Sequence, residues 1–191
     1  MQKIEKYLSE ILQVPFDQLR TCSPFYTIKE YRKGDFLLRA GEVCRHNFFV
    51  EEGLLRMYSI DQQGKEHIIQ FAPEMWIMSD RSSLFFKEKS KYFIEAVEDS
   101  TVLLLSPDFF VDIKKQFPGA VSDNDLLLQR HILSLQNRVN SLLADSAEKR
   151  YLDFIKMYPD IMSRVPQWMV ASYLGITPES LSRVRKELVR K

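Results

Sequence analysis

Residues 167–186 read QWMVASYLGITPESLSRVRK, and their spacing fits two short helices joined by a tight turn. Ala171 is small enough for two helices to cross closely, and Gly175 follows four positions later, where such a turn needs positive φ. Leu174, Ile176, Leu181 and Val184 supply aliphatic contacts between the helices. Thr177 is a capable N-cap, and Pro178 suits the first helical position, where an N–H has no intrahelical partner to lose. If that helix turns Leu181, Val184 and Leu188 inward, it must present Pro178, Glu179, Ser182, Arg183 and Lys186 outward. In the major groove Glu accepts from cytosine N4, and Arg pairs bidentately with guanine N7 and O6. Ser180, Arg185 and Lys186 are placed for phosphates, which add affinity but little sequence information. A terminal helical hairpin with a solvated basic face is the competing reading. The agreement of turn, cap, aliphatic contacts and outward Glu/Arg face favours a helix-turn-helix that reads double-stranded DNA through Thr177, Pro178, Glu179, Ser180, Ser182, Arg183, Arg185 and Lys186.

The charge distribution agrees. Residues 164–191 hold six basic and two acidic side chains, a net of +4, whereas residues 1–163 hold 21 basic and 24 acidic, a net of −3. A basic end on an otherwise acidic body suits a polyanion-binding tail.

Upstream, from about residue 25 to 106, short runs rich in β-branched and aromatic residues alternate with turn signals. Examples are FLLR before Ala40-Gly41-Glu42, NFFVEEG, LLRMYSI before Asp61-Gln62-Gln63-Gly64, HIIQFAP, YFIEAVEDS and TVLLLSP. Their spacing of about 8–12 residues predicts an antiparallel sandwich or barrel. Lys33-Gly34-Asp35, Gly41, Gly53 and the Asp61–Gly64 stretch are where the chain reverses. Ahead of it, Ile4, Leu8, Ile11 and Leu12 recur at helical spacing.

After the strands the period becomes helical. SPDFFVDIKKQF is expected as a helix with Ser106 as N-cap and Pro107 at its first position, ended by Pro118-Gly119. Residues 121–144 contain no Gly or Pro and predict a helix about 35 Å long. Its apolar positions exceed one stripe, so it is expected to pack on its own domain and on a second copy, through Leu128, Ile132, Leu135, Val139 and Leu142. SAEKRYLDFIKMYP then predicts a helix with Leu152, Ile155 and Met157 inward, followed by an extended IMSRVP.

Composition excludes several classes. The longest aliphatic stretch, Val102–Leu105, is far short of the roughly 20 residues that span a bilayer. The N-terminus lacks the apolar core of a signal peptide, so a cytoplasmic protein with no membrane partner is expected. Cys22 and Cys44 cannot form a disulfide framework, and two thiolates fall short of the four that an iron–sulfur cluster takes. His46, His67 and His131 make no metal-binding pair. No catalytic triad, phosphate-cradling Gly-rich loop or metal pattern is present; paired acids such as Glu51-Glu52 or Glu98-Asp99 sit beside turns. No enzyme, no metal and no cofactor are expected.

The chain resembles the Crp/Fnr family, relatives of the cyclic-AMP receptor protein and of the anaerobic fumarate-nitrate regulator. The resemblance runs from about residue 20 to the C-terminus. It rests on KGD (33–35), AGE (40–42), FFVEEGLLRMY (48–58), DQQGKE (61–66) and above all LGITPESLSRVRKEL (174–188). It implies an α+β chain: an N-terminal double-stranded β-helix (jelly-roll, cyclic-nucleotide-binding-like) sensor domain over 1–119, a long dimerisation helix over 120–145, and a C-terminal helix-turn-helix domain over 146–191. The function it implies is that of a homodimeric bacterial transcription regulator, with RNA polymerase and a small-molecule effector as further partners. The family's base-reading Glu and Arg match Glu179 and Arg183. The polar residue usual before that Glu is Pro178 here, and little chain remains for the C-terminal wing of many members.

The nucleotide cassette departs from the pattern. Members that bind cyclic AMP carry Gly-Glu and, about ten residues later, Arg-Ser, the Glu holding the ribose and the Arg the phosphate. Anchored on Ile94-Glu95-Ala96, this chain offers Ser79-Asp80 and Ser90-Lys91. Asp80 can imitate the Glu, but Ser90 brings no positive charge to a buried phosphate, and an anion buried without a cation is costly. Lys91 and Arg81 are the nearby cations, and neither falls on the Arg position. The expectation is a regulator that does not answer cyclic AMP in the family's usual way. The alternative is a β-roll that binds a ligand or docks a partner without touching DNA.

Overall fold

The computed structural model describes residues 3–12, 26–116 and 124–190. They fall into two compact units, one within Met1–Ser59 and Gln70–Asn124, the other within Ile60–Ile69 and Asp125–Lys191. Eight strands are described: β1 (Tyr26–Tyr31), β2 (Phe36–Leu38), β3 (Asn47–Glu52), β4 (Leu55–Ile60), β5 (Glu66–Ala72), β6 (Ile77–Met78), β7 (Phe93–Ala96) and β8 (Ser100–Leu105). The helices are α1 (Lys3–Leu12), α2 (Arg81–Phe86), α3 (Phe109–Gln116), α4 (Asn124–Ala144), α5 (Ala147–Met157), α6 (Ile161–Arg164), α7 (Gln167–Leu174) and α8 (Pro178–Arg190).

The strands form two four-stranded sheets, in the orders β1-β8-β3-β6 and β2-β7-β4-β5. β8 runs antiparallel to both β1 and β3, so Leu105 faces Tyr26 on one side and Asn47 on the other. The two antiparallel sheets fit the sandwich or barrel expected from the run-and-turn pattern, in the β-roll form that the family resemblance implies. Phe49, Leu103 and Leu105 from the first sheet pack with Ile4 and Leu8 of α1 and with Phe109 and Ile113 of α3. The Glu51 carboxylate of β3 accepts from the backbone N–H groups of Lys3 and Ile4, the latter at 3.2 Å, and so caps the first turn of α1. Gly53 has φ +94°, and a Cβ there would lie 2.2 Å from Ser100 Oγ; no other residue fits.

β4 departs from simple alternation, because Leu55, Arg56, Met57 and Tyr58 are all buried. Leu55 lies opposite Ala96 and Met57 opposite Ile94, while Arg56 lies opposite Glu95. An Arg56–Glu95 ion pair of 2.8 Å, with the Tyr58 hydroxyl donating to the same carboxylate at 3.1 Å, accounts for the polar positions of this strand.

Three local expectations are corrected. The helix after the strands begins at Phe109, not at Pro107. Residues 106–109 close a turn in which the Phe109 N–H donates to Ser106 O, and the first helical bond runs from Asp112 N–H to Asp108 O. In α5 the buried side chain is Phe154, followed by Tyr158 at its end, while Leu152 and Met157 are exposed. The aromatic set Phe154, Tyr158 and Tyr173, with ring centroids 5.1–5.7 Å apart, outcompetes the aliphatic face. IMSRVP is not wholly extended: Ile161–Arg164 form one helical turn, and only Val165 and Pro166 take the extended conformation. The expected break at Pro118-Gly119 and the first residues of the 121–144 helix lie outside the described residues.

Candidate nucleic-acid interface

A compact helical cluster is assembled from α5 to α8. Val170, Ala171 and Leu174 of α7 and Leu181 and Val184 of α8 are buried together with Phe154, Tyr158 and Ile161. Gly175 closes α7 with φ +66° and ψ 35°, and the Ile176 N–H donates back to Ala171 O at 3.0 Å. That is the left-handed C-cap that favours glycine. Thr177 opens α8: its Oγ1 accepts from the Ser180 N–H at 3.2 Å, with Pro178 as the first helical residue.

Glu179 and Arg183 are one turn apart on the exposed face of α8, with Pro178 and Lys186 also exposed and Ser180, Ser182 and Arg185 half-buried. Its own backbone N–H and the Thr177 hydroxyl hold the Glu179 carboxyl below the usual carboxylate range. The carboxylate is therefore charged and seated at the positive end of α8. Among the described residues no ion pair engages Arg183, Arg185 or Lys186. Their charge is available to an anion.

The long helix α4 carries Leu128, Ile132, Leu135, Val139 and Leu142, each between 37% and 56% exposed. So many large apolar side chains on one helix form a surface that water solvates poorly. The guanidinium of Arg150 caps the end of α4, donating to Asp145 O at 2.9 Å and to Leu142 O at 3.4 Å. Nothing local in the sequence signalled that cap.

The cassette residues occupy the roll. Ser79 donates to Asn47 Oδ1 at 3.0 Å. Asp80 is buried and caps α2, accepting from the Ser83 N–H at 3.3 Å. Ser90 is buried, and its hydroxyl exchanges hydrogen bonds with the Tyr92 backbone. Lys91 is exposed, as are Phe85 and Phe86. The polar atoms at 80 and 90 thus serve local backbone geometry, and that at 79 holds the Asn47 side chain of β3.

A family model described as "Cyclic nucleotide-binding domain" matches residues 28–117. The Fumarate and nitrate reduction regulatory protein of Vibrio cholerae is 23% identical over 167 residues, which cover 82% of this chain and 66% of the relative. The chain is similar to this regulatory protein over most of its length. Among solved structures, FixK2 from Bradyrhizobium japonicum superposes with a TM-score of 0.71 at 18% identity, covering 86% of this chain and 85% of that one. TTHA1359 of Thermus thermophilus, described as a transcriptional regulator of the CRP/FNR family, gives 0.61 at 17% identity, covering 86% of each. These likenesses agree with the Crp/Fnr fold expected from KGD, AGE and LGITPESLSRVRKEL. The chain spans just under two thirds of the length of the curated relatives it matches. Among the described residues no helix is long and apolar enough to cross a membrane.

Proposed function

We propose that this chain is a Crp/Fnr-type, sequence-specific DNA-binding transcription regulator that works as a homodimer and does not use the family's usual contacts to cyclic AMP. The observation that carries the reading is the exposed Glu179–Arg183–Lys186 face of α8, held by the Gly175 turn and the Thr177 cap. Glu179 and Arg183 read base edges, Ser180, Arg185 and Lys186 engage phosphates, and Thr177, Pro178 and Ser182 line the contact. The names of the curated relatives, which are regulatory proteins, support the same class.

In this proposal residues 1–119 are the sensor domain, 120–145 the dimerisation helix and 146–191 the reading domain. Leu128, Ile132, Leu135, Val139 and Leu142 meet their counterparts on a second copy. Two reading helices then enter successive major grooves about 34 Å apart on a near-palindromic duplex. RNA polymerase and an effector other than cyclic AMP are the further partners. The absence of a cation at Ser90, together with the engagement of Ser79 by Asn47 and of Asp80 and Ser90 by nearby backbone, supports the loss of cyclic-AMP control.

Selection from random duplex DNA at fixed salt, with and without cyclic AMP, tests the reading. A palindrome enriched equally in both arms is the expected result. Enrichment only with the nucleotide overturns the cassette reading. No enrichment in either arm favours a roll that docks a ligand or partner without DNA.

A further inference from the structure

β5 ends its sheet order, so along one side its backbone groups meet no neighbouring strand among the described residues. In a strand the N–H and C=O of one residue point the same way, and residues two apart repeat that direction. Glu66 and Ile68 therefore present their groups to the same open edge. Three of these groups are nevertheless paired. The Ser172 hydroxyl of α7 accepts from the Ile68 N–H at 2.9 Å and donates to Glu66 O at 3.1 Å. Arg138 Nη2 of α4 donates to Ile68 O at 3.3 Å. One hydroxyl and one guanidinium stand where a fifth strand would.

Arg138 does more than cover the edge. The same Nη2 donates to Tyr173 O at 3.1 Å, and the guanidinium carbon sits 3.7 Å from the centroid of the Tyr173 ring. That ring is part of the Phe154–Tyr158–Tyr173 cluster inside the head. Arg138 thus joins α4, the β5 edge and α7 at a single point. A serine inside a helix can satisfy its hydroxyl on a carbonyl one turn back, whereas Ser172 directs both its donor and its acceptor to β5.

We infer that Ser172 and Arg138 are positioning residues for DNA reading, fixing α7, and with it α8, at a set place relative to α4. This rests on the regulator reading above. In a dimer built on α4, the distance between two recognition helices depends on that internal geometry in each copy. A loosened junction leaves each head able to bind its half-site and removes its preference for one spacing. The Glu66–Ile68 edge is then part of the reading unit, although it is far from the head in sequence.

The test uses the full chain and the palindrome it selects, the same palindrome with two base pairs added or removed at its centre, and a duplex carrying one half-site. Ser172→Val removes the hydroxyl, while Ser172→Thr keeps it in nearly the same shape; Arg138→Met and Arg138→Lys form the second pair. Wild type and Ser172→Thr are expected to prefer the selected spacing. Ser172→Val and Arg138→Met are expected to lose about tenfold in affinity for it, the scale of a hydrogen bond whose partner is left unpaired. Their affinity for the single half-site should stay within about twofold, and the Ile68 amide should exchange faster. Equal loss on both duplexes, or full retention of spacing preference, overturns the positioning role. A wild type that enriches no duplex at all overturns the regulator reading, and this inference with it.

Discussion

Gly175 and Leu142 stand so close that a Cβ on the glycine would lie 3.2 Å from Leu142 Cδ2. The glycine also holds φ +66°, a conformation that costs a side-chain-bearing residue about 1–2 kcal/mol. Gly175→Ala should therefore destabilise the protein by about 1–3 kcal/mol in urea unfolding. Adding Leu142→Ala to it should recover the part due to crowding but not the part due to φ. Full recovery in the double variant would assign the whole cost to crowding.

The Arg56–Glu95 pair is the chief polar feature of the roll. Both side chains are largely buried, and Tyr58, stacked on Phe93 at 5.2 Å between centroids, donates to the same carboxylate. Removing one partner leaves a buried charge uncompensated, so Glu95→Ala should cost about 3–5 kcal/mol in denaturant unfolding. Replacing both, as in Arg56→Met with Glu95→Leu, should cost less than the single change. The opposite order would show that the pair contributes net stability.

Leu135 and Val139 lie about one turn apart on α4 and are both exposed. A carboxylate at either position would be desolvated in a dimer and would face its own counterpart. Leu135→Glu and Val139→Glu should shift sedimentation from dimer to monomer while leaving the circular dichroism spectrum unchanged. A dimer that survives both changes would place the interface elsewhere.

The elements most legible in the sequence are those set by local chemistry. Gly175 and Thr177-Pro178 announce the turn and the cap of α8 because a positive φ and a missing N–H are single-residue properties. The strands declared themselves through the turns at Gly34, Gly53 and Asp61–Gly64. Where two apolar faces compete, as in α5, spacing cannot choose, and the aromatic partners that decide it lie on α7. Met75 and Lys87 adopt φ +65° and +58° with no glycine to mark them. Arg138, Arg150 and Ser172 act across long sequence separations. Nothing near them predicts their partners.

Asp61 closes the β4–β5 hairpin, accepting from the backbone of Gln63 and Lys65 and lying 2.7 Å from His67 Nε2. The hydrogen bond with His67, then that from Lys65, lowers its pKa from the ordinary 3.8. A depressed folded pKa contributes stability that is present above the unfolded value and lost as pH falls through the folded one. The hairpin contribution should therefore persist down to about pH 4 and fade only below it. In a carboxyl-detected NMR titration the Asp61 midpoint should lie below 3.8, and His67→Ala should move it upward. An unmoved midpoint would leave the backbone donors as the sole cause.

Arg183 and Lys186 share the exposed face of α8 but are assigned different duties. Arg183, one turn beyond Glu179, is placed for a guanine edge, so Arg183→Ala should cost about 1–3 kcal/mol and relax specificity at one base pair of each half-site. Lys186 is placed for a phosphate. Lys186→Ala should weaken binding to all duplexes about equally and reduce the slope of log affinity against log salt by about 1. Affinities measured on the selected palindrome and its single-base variants at several salt concentrations separate the two. If Arg183→Ala lowers the salt slope and leaves base preference intact, Arg183 is a phosphate contact, and Glu179 becomes the remaining base reader of this pair.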